Sequence, residues 1–220
     1  MKKIQILGLA LFAVFAFGAI AAASAFAAPE WLINGAAVTE LTSVETKGSL
    51  NLTDTKTALG SVTVKCEGTL DGSVGPAGGD EITEVLNTAG VAIKLGGTAL
   101  LCTSSQCSGT PEVWPENLPW QTQLELVGTV IRDHIFTSTG GAPGYTSLCT
   151  IILPIEDTCT GLTSSLIENM GTESPADVLG IFNAESEKGN CSLGGTGTGV
   201  ITGDGLITTL NGLALAVSGE

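Results

Sequence analysis

The sequence predicts an all-β fold, a disulfide-stabilised antiparallel β-sandwich or barrel with little helix. Three observations carry this expectation. Residues Ser61 to Val74 alternate apolar and polar side chains with a period of two. Six cysteines lie behind a leader-like N-terminus. The 30 glycines, about twice the usual share, break the rest into short runs rich in Val, Ile, Leu and Thr. Many short strands separated by turn residues pack as two layers or close into a barrel.

The first element in chain order is a targeting segment. Met1-Lys2-Lys3 precedes an uncharged run from Ile6 to Ala23, and Ala25-Phe26-Ala27 supplies small residues at the positions a signal peptidase reads. Residues 1–27 are therefore expected to be a signal peptide cleaved after Ala27. The run is also long enough for an uncleaved anchor. No cysteine follows it for lipid attachment. Residues 28–220 read as a single exported β domain, with two packed halves as a variant, and no membrane span is expected after signal cleavage.

Within that domain, Ser49 to Thr53 brings Leu50 and Leu52 to one face. In Ser61–Val74, residues Val62, Val64, Cys66, Leu70 and Val74 share one parity, while Thr63, Lys65, Glu67, Thr69, Asp71 and Ser73 share the other. That is the pattern of a half-buried strand or strand pair. Gly68 and Gly72 fall on the apolar parity, which predicts a bulge or a close approach of backbones. The Gly75–Gly79 and Gly140–Gly144 clusters read as turns or loops.

Asp80 to Ala89 sets Ile82, Val85, Leu86 and Ala89 at helical spacing with Asp80 as a cap, so a helix competes with a strand there. Gln121 to Val130 groups Leu124, Leu126 and Val130. Tyr145 to Leu153 groups Cys149, Ile151 and Leu153. Ser174 to Phe182 has room for one helical turn after Pro175. Gly199–Leu210 and Leu213–Ser218 are further strands. Cys66–Gly72 and Cys191–Gly197 echo each other, each opening a Gly-spaced strand.

An even number of cysteines in an exported chain reads as disulfides. Zinc is disfavoured, because there is no C-x-x-C and His134 is the only histidine. Six cysteines allow 15 connectivities. A hairpin turning at Leu153 to Ile155 would set Cys149 opposite Cys159, and Thr-Ser-Ser-Gln would close a turn between Cys102 and Cys107. Cys66 would then pair with Cys191.

Composition narrows the function. The net charge is −14, and loss of Lys2 and Lys3 with the leader takes it to −16. Such a chain repels a phosphate backbone, so nucleic acid is not an expected partner. Few aromatics remain after residue 27, too few for the girdles of an outer-membrane barrel. His134, between Asp133 and Ile135 with Arg132 nearby, is the one candidate base for a triad, and no G-x-S-x-G accompanies it. Glu112 and Glu116 flank Trp114 on a Pro-bounded loop, the composition of a sugar-hydrolysing carboxylate pair. Asp71 with Asp80, Glu81 and Glu84, or Asp204 between Gly203 and Gly205, are the acids placed to hold calcium, although neither set matches a known loop pattern. The run Gly194 to Gly199 lacks the lysine and helix of a phosphate loop.

The W-L-I-N-G at Trp31, L-P-W at Leu118, D-T-C-T at Asp157 and N-C-S-L-G-G at Asn190 resemble a group of uncharacterised exported Gly/Thr-rich bacterial proteins. The resemblance implies a bacterial, exported protein and transfers no activity and no site residues. The expected function is a non-catalytic secreted or cell-surface structural or binding module that meets an unknown extracellular or surface ligand. A calcium- or ligand-binding β protein and a secreted hydrolase using paired carboxylates are the alternatives. No cofactor is expected beyond the calcium option.

Overall fold

The structure is a computed structural model. It describes residues 28–128, 130–137, 141–161, 164–170, 179–185 and 188–218. The signal-peptide reading of residues 1–27 lies outside them, as do Gly140 and Ser174 to Val178.

The regular structure of the described chain is strand apart from one short 3₁₀ turn, as the sequence predicts. In order these are β1 (Glu30–Ile33), β2 (Ala36–Ala37), β3 (Thr42–Thr57), β4 (Gly60–Val74), β5 (Gly79–Leu86), β6 (Leu100–Leu101), β7 (Glu112–Glu116) and β8 (Trp120–Val127). They continue as β9 (Val130–Thr137), β10 (Gly144–Thr150), β11 (Pro154–Thr160), β12 (Ser164–Met170), β13 (Leu179–Glu185), β14 (Gly189–Cys191), β15 (Gly195–Thr209) and β16 (Leu215–Ser218). One 3₁₀ turn, Pro76–Gly78, joins β4 to β5 where the Gly75–Gly79 turn is expected.

Every pairing is antiparallel, and the strands form two rings that share three long strands. The lower ring runs β3, β4, β5, β8, β9, β12, β13, β15 and returns to β3. The upper ring uses the other ends of β15, β3 and β4 and passes through β14, β11, β10, β7 and β6. It closes where Lys65 and Thr103 exchange backbone hydrogen bonds of 2.7 and 2.8 Å. Closing a sheet removes its exposed edges, which otherwise invite further strands.

The Ser61–Val74 alternation is the cause of this arrangement. Its apolar parity faces the ring interiors: Val64 and Cys66 join the upper core, and Val74 joins the lower one. On β3 the same division puts Leu52 above and Val44 below. Between the cores, Gly205, Gly48 and Gly68 stand directly opposite one another across β15, β3 and β4. A Cβ on Gly48 would collide with the carbonyl oxygen of Asp204, and one on Gly68 would press on that of Leu86. The close approach predicted for Gly68 and Gly72 is therefore real, and it forms a waist. The small sheet β16-β1-β2 buries Trp31, Leu215 and Val217 with Val44, Val74 and Leu124 of the lower core.

Several local expectations are corrected. Asp80–Ala89 is not helical; its first residues form β5. Ile82 opposes Gly72 and Val85 opposes Leu70, with a register shift between them. That bulge turns two residues three apart toward one face, which imitates helical spacing. The helical turn expected after Pro175 falls outside the described residues, and the end of that run, Leu179 to Phe182, belongs to β13. The run Gln121–Val130 breaks after Val127, and Val130 opens β9 opposite it. The run Tyr145–Leu153 stops at Thr150, and Ile151–Leu153 is the turn.

The last shift overturns the disulfide pairing. With the turn centred near Ile152, Cys149 lies opposite Ile155 and Cys159 opposite Tyr145. Cys159 instead faces Cys191 across β11 and β14, with Cα atoms 4.0 Å apart, and the two are bonded. Cys66 bonds Cys102 beside the Lys65–Thr103 bridge, at a Cα separation of 4.4 Å. Opposed residues in the non-hydrogen-bonded register sit about 4.5 Å apart, within disulfide reach. Cys107 bonds Cys149 and ties the loop before β7 to β10. The Cys66 and Cys191 segments are not equivalent, since one lies within a strand and the other enters a turn.

Candidate functional site

The upper ring is not filled. A cavity of about 320 Å³ occupies its end, where the β3–β4, β10–β11 and β14–β15 turns gather. Its walls are the inward residues of β3, β4, β10 and β11, chiefly Leu52, Val62, Val64 and Ile155. Leu59, Ile151 and Leu193 from the three turns form the rim. A closed sheet of about eight strands leaves an interior that side chains fill or that holds one small ligand. The volume is in the lower part of the range of small-molecule sites.

Polar groups gather at one place in this apolar space. Asp54 and Tyr145 are only 4% and 5% exposed. Asp54 Oδ1 accepts a 3.0 Å bond from the Lys56 amide, but among the described residues Asp54 Oδ2 and the Tyr145 hydroxyl have no hydrogen-bond partner. Asp157 Oδ1 accepts from Ser192 Oγ at 2.8 Å and from the Leu193 amide at 3.0 Å. Burial pushes the Asp157 carboxyl up; the Ser192 and Leu193 bonds pull it back in part, and neighbouring Asp54 raises it again. Tyr145 is pushed above its ordinary range by burial and by the charges of Asp157 and Asp54. No basic side chain lines the cavity. Gly194 completes the polar end, because any Cβ there would collide with the Asp54 carboxylate.

Asp157, Cys159 and Cys191 lie close enough together to resemble a metal cluster. Both sulfurs are spent in a disulfide, so the trio offers no thiolate.

A second acid pair is sealed in the lower ring. Asp80 faces Thr122, and Asp133 enters from β9 on the same inner side. Among the described residues the Oδ1 atoms of both acids have no hydrogen-bond partner. Burial pushes Asp133 up to about 7, and burial together with Asp133 raises Asp80 well above its ordinary value. Beside them is a cavity of about 30 Å³, also lined by Trp31.

The residues singled out from the sequence are distributed differently. Glu116 accepts a bond from Thr146 Oγ1 at 2.5 Å, Trp114 is buried in the upper core, and neither Glu112 nor Glu116 lines the large cavity. His134 stacks near Phe136 with ring centroids 6.4 Å apart, on the opposite side of β9 from Asp133. The calcium set is divided by register: Asp80 points into the lower ring, whereas Asp71 lies opposite Glu84 and Glu45 on the outer face with Glu81. Asp204 is exposed on the outer side of β15. Of the Gly194–Gly199 run, Gly194 ends the β14–β15 turn and Gly195–Gly199 opens β15.

Sequence reasoning missed Asp54, Asp157 and Tyr145 as a site, although a trace of them was there. Asp54 continues the parity of Leu50 and Leu52, Asp157 that of Ile155 and Cys159, and Asp133 that of Ile131 and Ile135. An acid on the apolar parity of a strand is aimed at the core. Buried charges are rare without a partner or a use.

No protein-family model, curated protein or solved structure matches the chain.

Proposed function

We propose that the protein is a non-catalytic, exported binding module that takes a small, largely apolar ligand into the upper-ring cavity. The observation that carries this reading is the cavity itself: apolar walls, an apolar rim, and the buried Asp54, Asp157 and Tyr145 gathered at one end. Buried polar atoms are normally satisfied, and an exception calls for a ligand, an ion or a strain to explain it. Export is supported by the leader-like N-terminus and by three disulfides, which persist in oxidising compartments. Among the described residues no helix is long and apolar enough to cross a membrane.

Thermal melting with 1-octanol tests the reading. Binding to the native state raises the melting temperature. Octanol should raise it for the native sequence but not for Val62→Trp, which puts an indole into the cavity. Equal shifts in both proteins, or none in either, would sink the proposal.

A further inference from the structure

We propose that the upper-ring cavity selects a primary amine in its protonated form, with the ammonium seated among Asp54, Asp157 and Tyr145 and an alkyl body along Leu52, Val62 and Val64. This rests on the reading of the cavity as a ligand site and adds the ligand's charge and head group.

The polar end of the cavity is rich in acceptors and poor in donors. Each carboxylate has one oxygen fixed from behind: Asp54 Oδ1 by the Lys56 amide, Asp157 Oδ1 by Ser192 and the Leu193 amide. Those bonds orient the pair and leave the other oxygens. Among the described residues Asp54 Oδ2 has no donor, the Asp157 carboxyl meets that of Asp54, and Asp157 Oδ2 lies 3.8 Å from a disulfide sulfur, which carries no proton. The Tyr145 hydroxyl is also unpartnered and can accept. The cavity lining holds no Lys, Arg or His to balance the two acids.

An ammonium group supplies what is missing. It brings three donors and a positive charge, and charge-assisted bonds are the stronger kind. An alcohol brings one donor and no charge. A carboxylate would face two acids of its own sign. A quaternary ammonium has no N–H to give and needs a cage of aromatic faces, whereas Tyr145 is the one aromatic lining the cavity. The remaining walls are hydrocarbon and suit an alkyl chain that enters past Leu59, Ile151 and Leu193.

The test compares n-octylamine, 1-octanol and octanoate by calorimetry on the purified, disulfide-intact protein near neutral pH and at moderate salt. Octylamine should bind at least about tenfold more tightly than octanol, as a gain of one charge-assisted bond implies, and octanoate should bind most weakly. Asp54→Asn should remove the preference for the amine while octanol still binds. Tyr145→Phe, which keeps the ring, should weaken the amine more than the alcohol. Val62→Trp should abolish binding of both. Octanol and octylamine binding equally well would overturn the amine assignment and leave the cavity reading standing. An amine preference that survives Asp54→Asn and Tyr145→Phe would also overturn it, since the amine would then be held by the acidic surface. If none of the three compounds binds, both readings fail.

Discussion

At the residue scale, the chemistry of this protein is that of acids placed on the wrong parity for solubility. Asp133 is the clearest case. Its folded value is pushed up to about 7, against an ordinary carboxylate value near 4 when the chain unfolds. Between those values the native state keeps a proton that the unfolded state releases. The Asp133 contribution to stability therefore falls as pH rises from about 4 to about 7. Asp80, Asp157 and Asp71 are raised too, so they act in the same direction. The melting temperature should be higher at pH 5 than at pH 7.5, as scanning calorimetry would show. Asp133→Asn should remove much of that slope, since it keeps the shape and loses the titration. A slope unchanged in the variant would place its origin elsewhere.

Gly48 makes a second prediction at this scale. Its inner side is occupied by the backbone of β15 at Asp204, which cannot swing aside as a side chain would. Gly48→Ala should destabilise by about 1–3 kcal/mol or more in a urea titration, because overpacking moves backbone. Gly90→Ala is a useful contrast: its Cβ would meet nothing, and its cost would come from a φ of 76° alone.

At the element scale, two of the three disulfides sit on short, weakly paired seams of the upper ring. β11 and β14 share only the Cys159/Cys191 and Thr160/Asn190 positions, and β4 meets the segment after β6 only at Lys65 and Thr103. Cys159–Cys191 and Cys66–Cys102 lie on those two seams. Their loops of 32 and 36 residues each contribute about 3–4 kcal/mol in the chain-entropy model. Replacing both Cys66 and Cys102 with Ala should lower stability by about that amount. Hydrogen exchange should then speed up in β6, β7 and β10 while β8 and β9 stay protected. Uniform loss of protection would mean that the rings do not behave as separable parts.

How much was legible follows from what each feature requires. The strand Ser61–Val74 could be read because one face is core and the other solvent, so its period of two survives in the residues. The cysteines could be read as disulfides but not paired, because pairing depends on register, and a turn centred at Ile152 instead of Pro154 moves every partner. The β5 helix reading failed on one inserted residue. The Asn34-Gly35 hairpin between β1 and β2 went unread although both residues have positive φ, 52° and 76°, the setting that favours Asn-Gly. The cavity was not legible, since its walls come from strands about a hundred residues apart in the chain.

At the scale of the whole molecule, three long strands run through both rings, and their Gly205, Gly48 and Gly68 waist lets one sheet serve two interiors. The lower interior is packed around Trp31 and Leu215. The upper interior is left open at its end. The net charge of −14 favours solubility and repels anionic partners, in keeping with a cationic ligand. N-terminal sequencing of exported material should find Ala28 first if residues 1–27 are removed, and Met1 if they are retained.

The proposed ligand site is the upper interior, walled by Leu52, Val62, Val64 and Ile155. Methyl-resolved NMR during titration with 1-octanol tests it most directly. Methyl signals of Leu52, Val62, Val64 and Ile155 should move and saturate together, while those of Val44, Val74 and Ile207 stay in place. Shifts spread equally over both sets, or absent from the first, would contradict the account.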